Sequence, residues 1–199
     1  KEFLGKVTNS MKTKPLTFLL ALTFLFLFSG SVFGQETEVK KEYWDNGKLK
    51  IETHWKNGKR ERKTGYYESG AKKIEVRFKN EKLDGLATWW HENGKKSMEQ
   101  HFKDGKQDGL ETWWYKNGKR SMKKHFKDGK QDGLETGWWK KGGKYSEKHY
   151  KDGKQYGLET GWYENGQIKS EERYKDGKQD GLETGWWKNG QKHLEQHYK

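Results

Sequence analysis

Seven histidines are the residues of this 199-residue chain with the most obvious capacity for chemistry, because a neutral imidazole binds metals and titrates near neutral pH. Five share one phase, His54, His101, His125, His149 and His197, and Arg77 and Arg173 complete their column. The step is 24 residues, shortened once by a deletion near Arg62. If each step is one β-hairpin, neighbouring histidines sit about 9–10 Å apart, two strand spacings, whereas zinc draws its ligands to about 2 Å from a single ion. His193 and His197 are four apart, a spacing that joins two ligands on a helix but not along a strand. No metal site is expected. Glu99, Glu147, Glu171 and Glu195 form a second column, which reads as cross-strand charge partners and not as paired catalytic acids. With no phosphate loop and no nucleophile motif, neither an enzyme nor a cofactor is expected.

Aromatic side chains are the other regular feature. Eleven Trp, ten Tyr and nine Phe make up 15 % of an otherwise polar chain, and a disordered polymer has no reason to place its largest apolar groups periodically. Four residues before a recurring glycine stand Tyr43, Tyr66, Trp90, Trp114, Trp138, Trp162 and Trp186. One residue later come Trp44, Tyr67, His91, Tyr115, Trp139, Tyr163 and Trp187, and eight residues after the glycine come Trp55, Phe78, Phe102, Phe126, Tyr150, Tyr174 and Tyr198.

The elements that must carry these columns follow from two glycine registers. Gly-Leu-x-Thr recurs at Gly85, Gly109, Gly133, Gly157 and Gly181, and turn glycines recur at Gly47, Gly70, Gly94, Gly118, Gly142, Gly166 and Gly190. A period in this range marks an array of like units that bury their faces against neighbours. Each unit holds two runs of about eight residues around Asn-Gly, the strongest short-range hairpin signal, with a two-residue type I′ turn as its usual geometry. Lys-Asp-Gly-Lys-Gln-Asp-Gly, as at 103–109, links one unit to the next. The expected fold is all-β: an elongated array of antiparallel hairpins, about 13 strands in one meandering sheet over 43–199, about six and a half repeats.

Register decides what each face presents. A two-residue Asn-Gly turn puts the Phe126-type column on the same face as the Tyr115-type column, with Ile51, Ile74, Met98, Met122 and Leu194, and makes that face the core candidate. The other face then carries Trp90, Trp114, Trp138, Trp162 and Trp186 with the leucines, threonines and histidines. A three-residue turn would exchange the faces, because one step of register moves every side chain across the sheet. Either way an aromatic stripe meets water. Such a stripe is a binding surface or an assembly surface, or else a stacking ladder that supports a thin sheet; the five tryptophans are the candidate binding stripe.

The amino terminus has a different character. Met11, Lys12 and Lys14 lead into an apolar run over 16–28, followed by Ser-Gly-Ser-Val-Phe-Gly ending at Gly34, the zones of a secretory signal peptide. The run has 13 residues, where a membrane span needs about 20. Export with cleavage after Gly34 is expected, giving 1–10 as unassigned upstream sequence, 11–34 as signal peptide and 35–42 as a short linker. The chain has no cysteine, which excludes a lipoprotein anchor, a disulfide framework and a cysteine-based zinc site.

Net charge is +13, of which +3 lies in residues 1–34, leaving +10 for the presumed mature protein. It is uneven: residues 118–141 hold eight basic and three acidic side chains, and residues 142–165 hold four of each. Basic character beside aromatic rings suits a protein partner, an anionic glycan or an acidic membrane surface; export disfavours nucleic acid. A lysine-rich sheet edge that discourages aggregation is the plainer reading.

Segments such as Tyr43-Trp44-Asp45-Asn46-Gly47-Lys48, ending at Asn57-Gly58-Lys59, resemble the bacterial variant of the MORN repeat, and the resemblance runs over about 43–199. It implies a hairpin array without enzyme activity. Some bacterial members are antitoxin or immunity components paired with a toxin, and classical arrays are linked to scaffolding and membrane lipids. Arg62 and Glu81 replace glycines of the pattern. Residues 160–166 are also similar to part of the choline- and glucan-binding repeats, although Gln167-Ile168-Lys169 stand where those repeats carry further aromatics. The expected role is thus an exported interaction or scaffold module, with an immunity protein or a cell-wall polysaccharide binder as alternatives.

Overall fold

The computed structural model describes residues 36–199; the expected signal peptide and the upstream decapeptide lie outside the described residues. Among the described residues there are seventeen strands and no helix, and consecutive strands pair antiparallel into one open meandering sheet. The count exceeds thirteen for two local reasons. Three strands are interrupted by a single residue, at Asp84, Asp132 and Asp180. Thr37–Tyr43, mostly within the expected linker, pairs with Leu49–Lys56 as a further strand.

Two kinds of turn alternate, and they are not distributed as Asn-Gly suggested. At His91–Lys95 the loop has three residues: Gly94 N donates to His91 O at 2.9 Å and His91 N donates to Lys95 O at 2.8 Å. Gly94 takes the left-handed conformation (φ 79°) and Asn93 does not. The asparagine serves through its side chain, whose Oδ1 accepts Lys95 N at 3.1 Å, as Asn46, Asn117, Asn165 and Asn189 do in their own units. The type I′ geometry stands at the other end of the strands, where Asp104 (φ 51°) and Gly105 (φ 84°) join Lys103 to Lys106.

A three-residue turn should have exchanged the faces, yet the faces stand as the two-residue turn predicted. A bulge just inside the hairpin cancels the shift. Trp90 pairs with Lys96, Ser97 is left over, and Trp89 pairs with Met98, the partner a two-residue turn would have given it. The same irregularity recurs beside Tyr66, Trp114, Trp138, Trp162 and Trp186. Two one-residue offsets of opposite effect leave the alternation of side chains intact beyond them.

Neither face is a core in the usual sense. Val76 and Ala87 are the buried apolar residues, both on the face expected to be core, while Thr64, Thr88, Thr136 and Thr184 are buried on the stripe face. A sheet that no other described element covers has to hold itself together by side chains that bridge neighbouring repeats. The Tyr67, Tyr115 and Tyr163 hydroxyls each donate to the main-chain carbonyl of the tryptophan 23 residues on, Trp90, Trp138 and Trp186, at 2.7–2.8 Å. His91 reaches Trp114 O in the same way. At the turns, Asn93 Nδ2 donates to Lys116 O and Lys95 Nζ to Asn117 O. The Tyr115-type column is therefore a row of staples between repeats, and Trp139, whose indole N–H has no partner among the described residues, packs on Tyr145 at 5.2 Å instead.

Aromatic volume on that face is conserved by exchange. Trp89 and Trp113 occupy a column where later repeats have Gly137, Gly161 and Gly185. Opposite Gly137 the Tyr145 ring fills the gap, so closely that a Cβ added to the glycine would come within 2.3 Å of it. Opposite Trp113 the equivalent residue is Ser121.

Candidate functional site

Trp90, Trp114, Trp138, Trp162 and Trp186 end the first strand of their hairpins and share one face, each half-buried. Strand alternation places Leu110 and Thr112 beside Trp114 on it, and the register places His125, Lys123 and Arg120 opposite them. A cation from the preceding repeat covers each of four rings. Lys72 lies 5.1 Å from the Trp90 centroid, Lys96 6.0 Å from Trp114, Arg120 5.2 Å from Trp138 and Lys144 5.8 Å from Trp162, all within cation–π range. Ile168 holds the equivalent position before Trp186.

The glutamate column lies on the same face, but its partners are not across the strands as expected. Lys72–Glu75 (2.9 Å), Lys96–Glu99 (2.5 Å), Lys144–Glu147 (2.6 Å) and Lys192–Glu195 (2.5 Å) pair within a strand. Three residues would normally separate two side chains to opposite faces; the bulge residue between them restores the contact. At Glu75 burial pushes the carboxyl up, but the hydrogen bond and charge of Lys72 outweigh it and hold the group below the usual carboxylate range. Across the strands each glutamate meets threonine: Glu99 pairs with Thr88 and Thr112, and Glu147 with Thr136 and Thr160.

Histidines of the column are held by the backbone. His101, His125 and His149 engage through Nδ1 the carbonyls of Leu110, Leu134 and Leu158 at 3.0–3.1 Å. His193 stacks on Trp187, with centroids 4.1 Å apart, on the face opposite His197. Among the described residues no group of three metal-ligating side chains converges.

A third set of acids was missed in the sequence. Glu111, Glu135, Glu159 and Glu183 lie on the face opposite the stripe, and Glu111 is only 5 % exposed. Its carboxylate accepts from Gln100, Gln107 and Trp113 Nε1; Glu135, Glu159 and Glu183 accept from the glutamine four residues earlier. Lys148 faces Glu159 at 3.0 Å, and although burial pulls the ammonium down, the Glu159 bond and charge hold it above the ordinary lysine range. The signal was the constant four-residue interval between Gln and Glu in Gln-x-Gly-Leu-Glu. These acids are bonded to side chains of the sheet itself. The same face has a shallow apolar groove formed by Trp113, Tyr115, Met122 and Tyr145, with Trp113 40 % exposed.

No curated protein matches the chain. Among solved structures, accessory secretory proteins 1, 2 and 3 of Streptococcus pneumoniae share 18 % identity over 46 % of this chain and 17 % of theirs, with TM-score 0.31. The glycosylation-associated Gap123 complex of Streptococcus agalactiae shares 19 % over 47 % of this chain and 18 % of its own, with TM-score 0.32. The chain thus covers less than a fifth of either structure. The MORN repeat variant pattern matches residues 39–57, 83–104, 107–128, 155–176 and 179–199, each spanning the two strands of one hairpin about its Asn-Gly turn. Those segments make up more than half of the sequence, and the chain belongs to the MORN repeat variant family.

Proposed function

We propose that this chain is a non-enzymatic interaction module that holds a protein partner along the stripe of Trp90, Trp114, Trp138, Trp162 and Trp186. The observation that carries the reading is the division of labour between faces. Tyrosine hydroxyls on the opposite face bond the carbonyls of the next repeat, whereas the stripe tryptophans stay partly exposed, make no side-chain hydrogen bond among the described residues and are matched by a cation each over four repeats. Rigid aromatic surface beside charge is what protein interfaces favour. Cations already resting on the rings leave less free ring plane for a sugar to stack, which weighs a protein partner above a polysaccharide. The signal-like run at 11–34 supports action outside the cytoplasm, and a secreted toxin is one partner that would fit the immunity role the family allows.

The reading is tested by affinity capture from the source cells with three baits: the native chain, a Trp138→Leu chain and a Trp113→Leu chain. A stoichiometric protein retained by the native and Trp113→Leu baits and lost from the Trp138→Leu bait supports it. Equal retention by all three, or loss only with Trp113→Leu, contradicts it.

A further inference from the structure

One strand breaks the charge pattern of the stripe face. The position held by Glu52, Glu75, Glu99, Glu147, Glu171 and Glu195 in the other repeats is Lys123 here. Its flanking residues are unchanged, with Thr112 on one side and Thr136 on the other. In four of those repeats the lysine three residues before the glutamate is neutralised by it; Arg120, in that lysine's place, has no carboxylate within ion-pair distance among the described residues, and neither has Lys123. The nearest acids of the row, Glu99 and Glu147, are two strands away on either side, about 9–10 Å, and each is engaged by its own lysine. The strand Arg120–Lys127 therefore presents Arg120, Lys123, His125 and Lys127 on one face, with Arg120 opposite Trp114 and over the ring of Trp138.

We propose that this strand is where the partner's carboxylates seat, and that the occupant of the stripe is an acidic, extended segment of a protein. The inference rests on the interaction reading above and adds the partner's chemistry and its place on the sheet. Charge complementarity selects an acid: swapping one glutamate for lysine turns a neutral pair into two unpaired cations on one strand. Spacing selects the form. Repeats recur about every 9.6 Å, two strand spacings, and a polyproline II segment completes a turn of three residues in about 9.3 Å. Every third side chain of such a segment meets one repeat, so with an acid over Lys123 its neighbours at the same phase lie over Glu99 and Glu147 and must be neutral, while the segment crosses the two flanking strands that end in Trp114 and Trp138.

The probe is a nine-residue peptide with one central acid, Pro-Pro-Gln-Pro-Pro-Glu-Pro-Pro-Gln, with the all-glutamine peptide as its neutral counterpart, followed by indole N–H resonances of the described chain. The glutamate peptide should shift Trp114 and Trp138 most and Trp186 least, and the glutamine peptide should bind at least about tenfold more weakly. Lys123→Glu, which installs the residue of the other repeats and so preserves the fold, should abolish those shifts. Lys103→Glu changes net charge equally from an exposed site outside the cluster and should leave binding within about twofold. Equal loss with both variants would reduce the effect to net charge and overturn the proposal. Shifts spread evenly over the five tryptophans and indifferent to Lys123→Glu would also overturn it, while leaving the interaction reading standing. Tighter binding of a heparin hexasaccharide with the same dependence on Lys123 would overturn the peptide as occupant.

Discussion

The Tyr115 hydroxyl donates at 2.7 Å to the main-chain carbonyl of Trp138, 23 residues further on. This bond ties a residue of one face to the strand end that carries a stripe tryptophan, so the repeat-to-repeat spacing of the stripe is set from the other side of the sheet. Tyr115→Phe leaves the ring and removes the donor. The expected loss is about 1 kcal/mol, read as a lower urea midpoint, whereas Tyr43→Phe, at a 58 % exposed position, should change stability by less than about 0.5 kcal/mol. Equal effects at the two sites would show that the hydroxyl is not a staple.

Gly137 and Tyr145 exchange volume with Trp113 and Ser121 of the preceding repeat. Gly137→Trp alone drives two rings into one space and should cost about 1–3 kcal/mol. Gly137→Trp combined with Tyr145→Ser rebuilds the arrangement of the preceding unit and should recover most of that loss. The double-mutant cycle is the measurement, with a coupling of more than about 1 kcal/mol expected; additive losses would mean that the columns do not compensate.

Alkaline pH should unfold the sheet. Burial, the largest cause at each site, holds the phenols of Tyr66, Tyr145, Tyr150 and Tyr174 above their ordinary value, and at Tyr174 a 2.9 Å bond to Glu172 adds to it. A group whose folded value is raised contributes stability that is complete below its unfolded value, about 10 for a phenol, and is lost as pH rises through the folded value. Lys148 is raised as well and acts in the same direction. Urea midpoints should be level to about pH 9 and fall from about pH 10 upward, with phenolate absorbance appearing together with loss of β-sheet circular dichroism. Phenols that ionise near their ordinary value in a sheet that stays folded would contradict this.

The register was legible in the sequence and the turn that produces it was not. Asn93-Gly94 carries a strong hairpin signal, but a type I′ turn and a three-residue loop both need left-handed backbone at Gly94; only the fate of the Asn93 side chain separates them, and that depends on a neighbouring repeat. Trp89 faces Met98, as a two-residue turn would have it, because the bulge at Ser97 offsets the longer loop. The five tryptophans were correctly placed on one face with the threonines and histidines. Glu111 was invisible as a buried acid, since its donors Gln100 and Trp113 are recruited across strands and along the chain after folding. Thr37–Tyr43 falls mostly in the expected linker, and as an edge strand with all seven residues exposed it carries no alternation of apolar and polar residues to read.

Whether the stripe binds or merely stacks is decided most directly by substituting Trp114, Trp138 and Trp162 singly with leucine, and measuring thermal stability together with affinity for the captured protein partner by titration calorimetry. The account predicts folded variants whose affinity falls about tenfold or more at Trp138, a loss of about 1.4 kcal/mol, with smaller losses at Trp114 and Trp162. Lower melting temperatures with unchanged affinity per folded molecule would make the stripe a stacking ladder and contradict the proposed function.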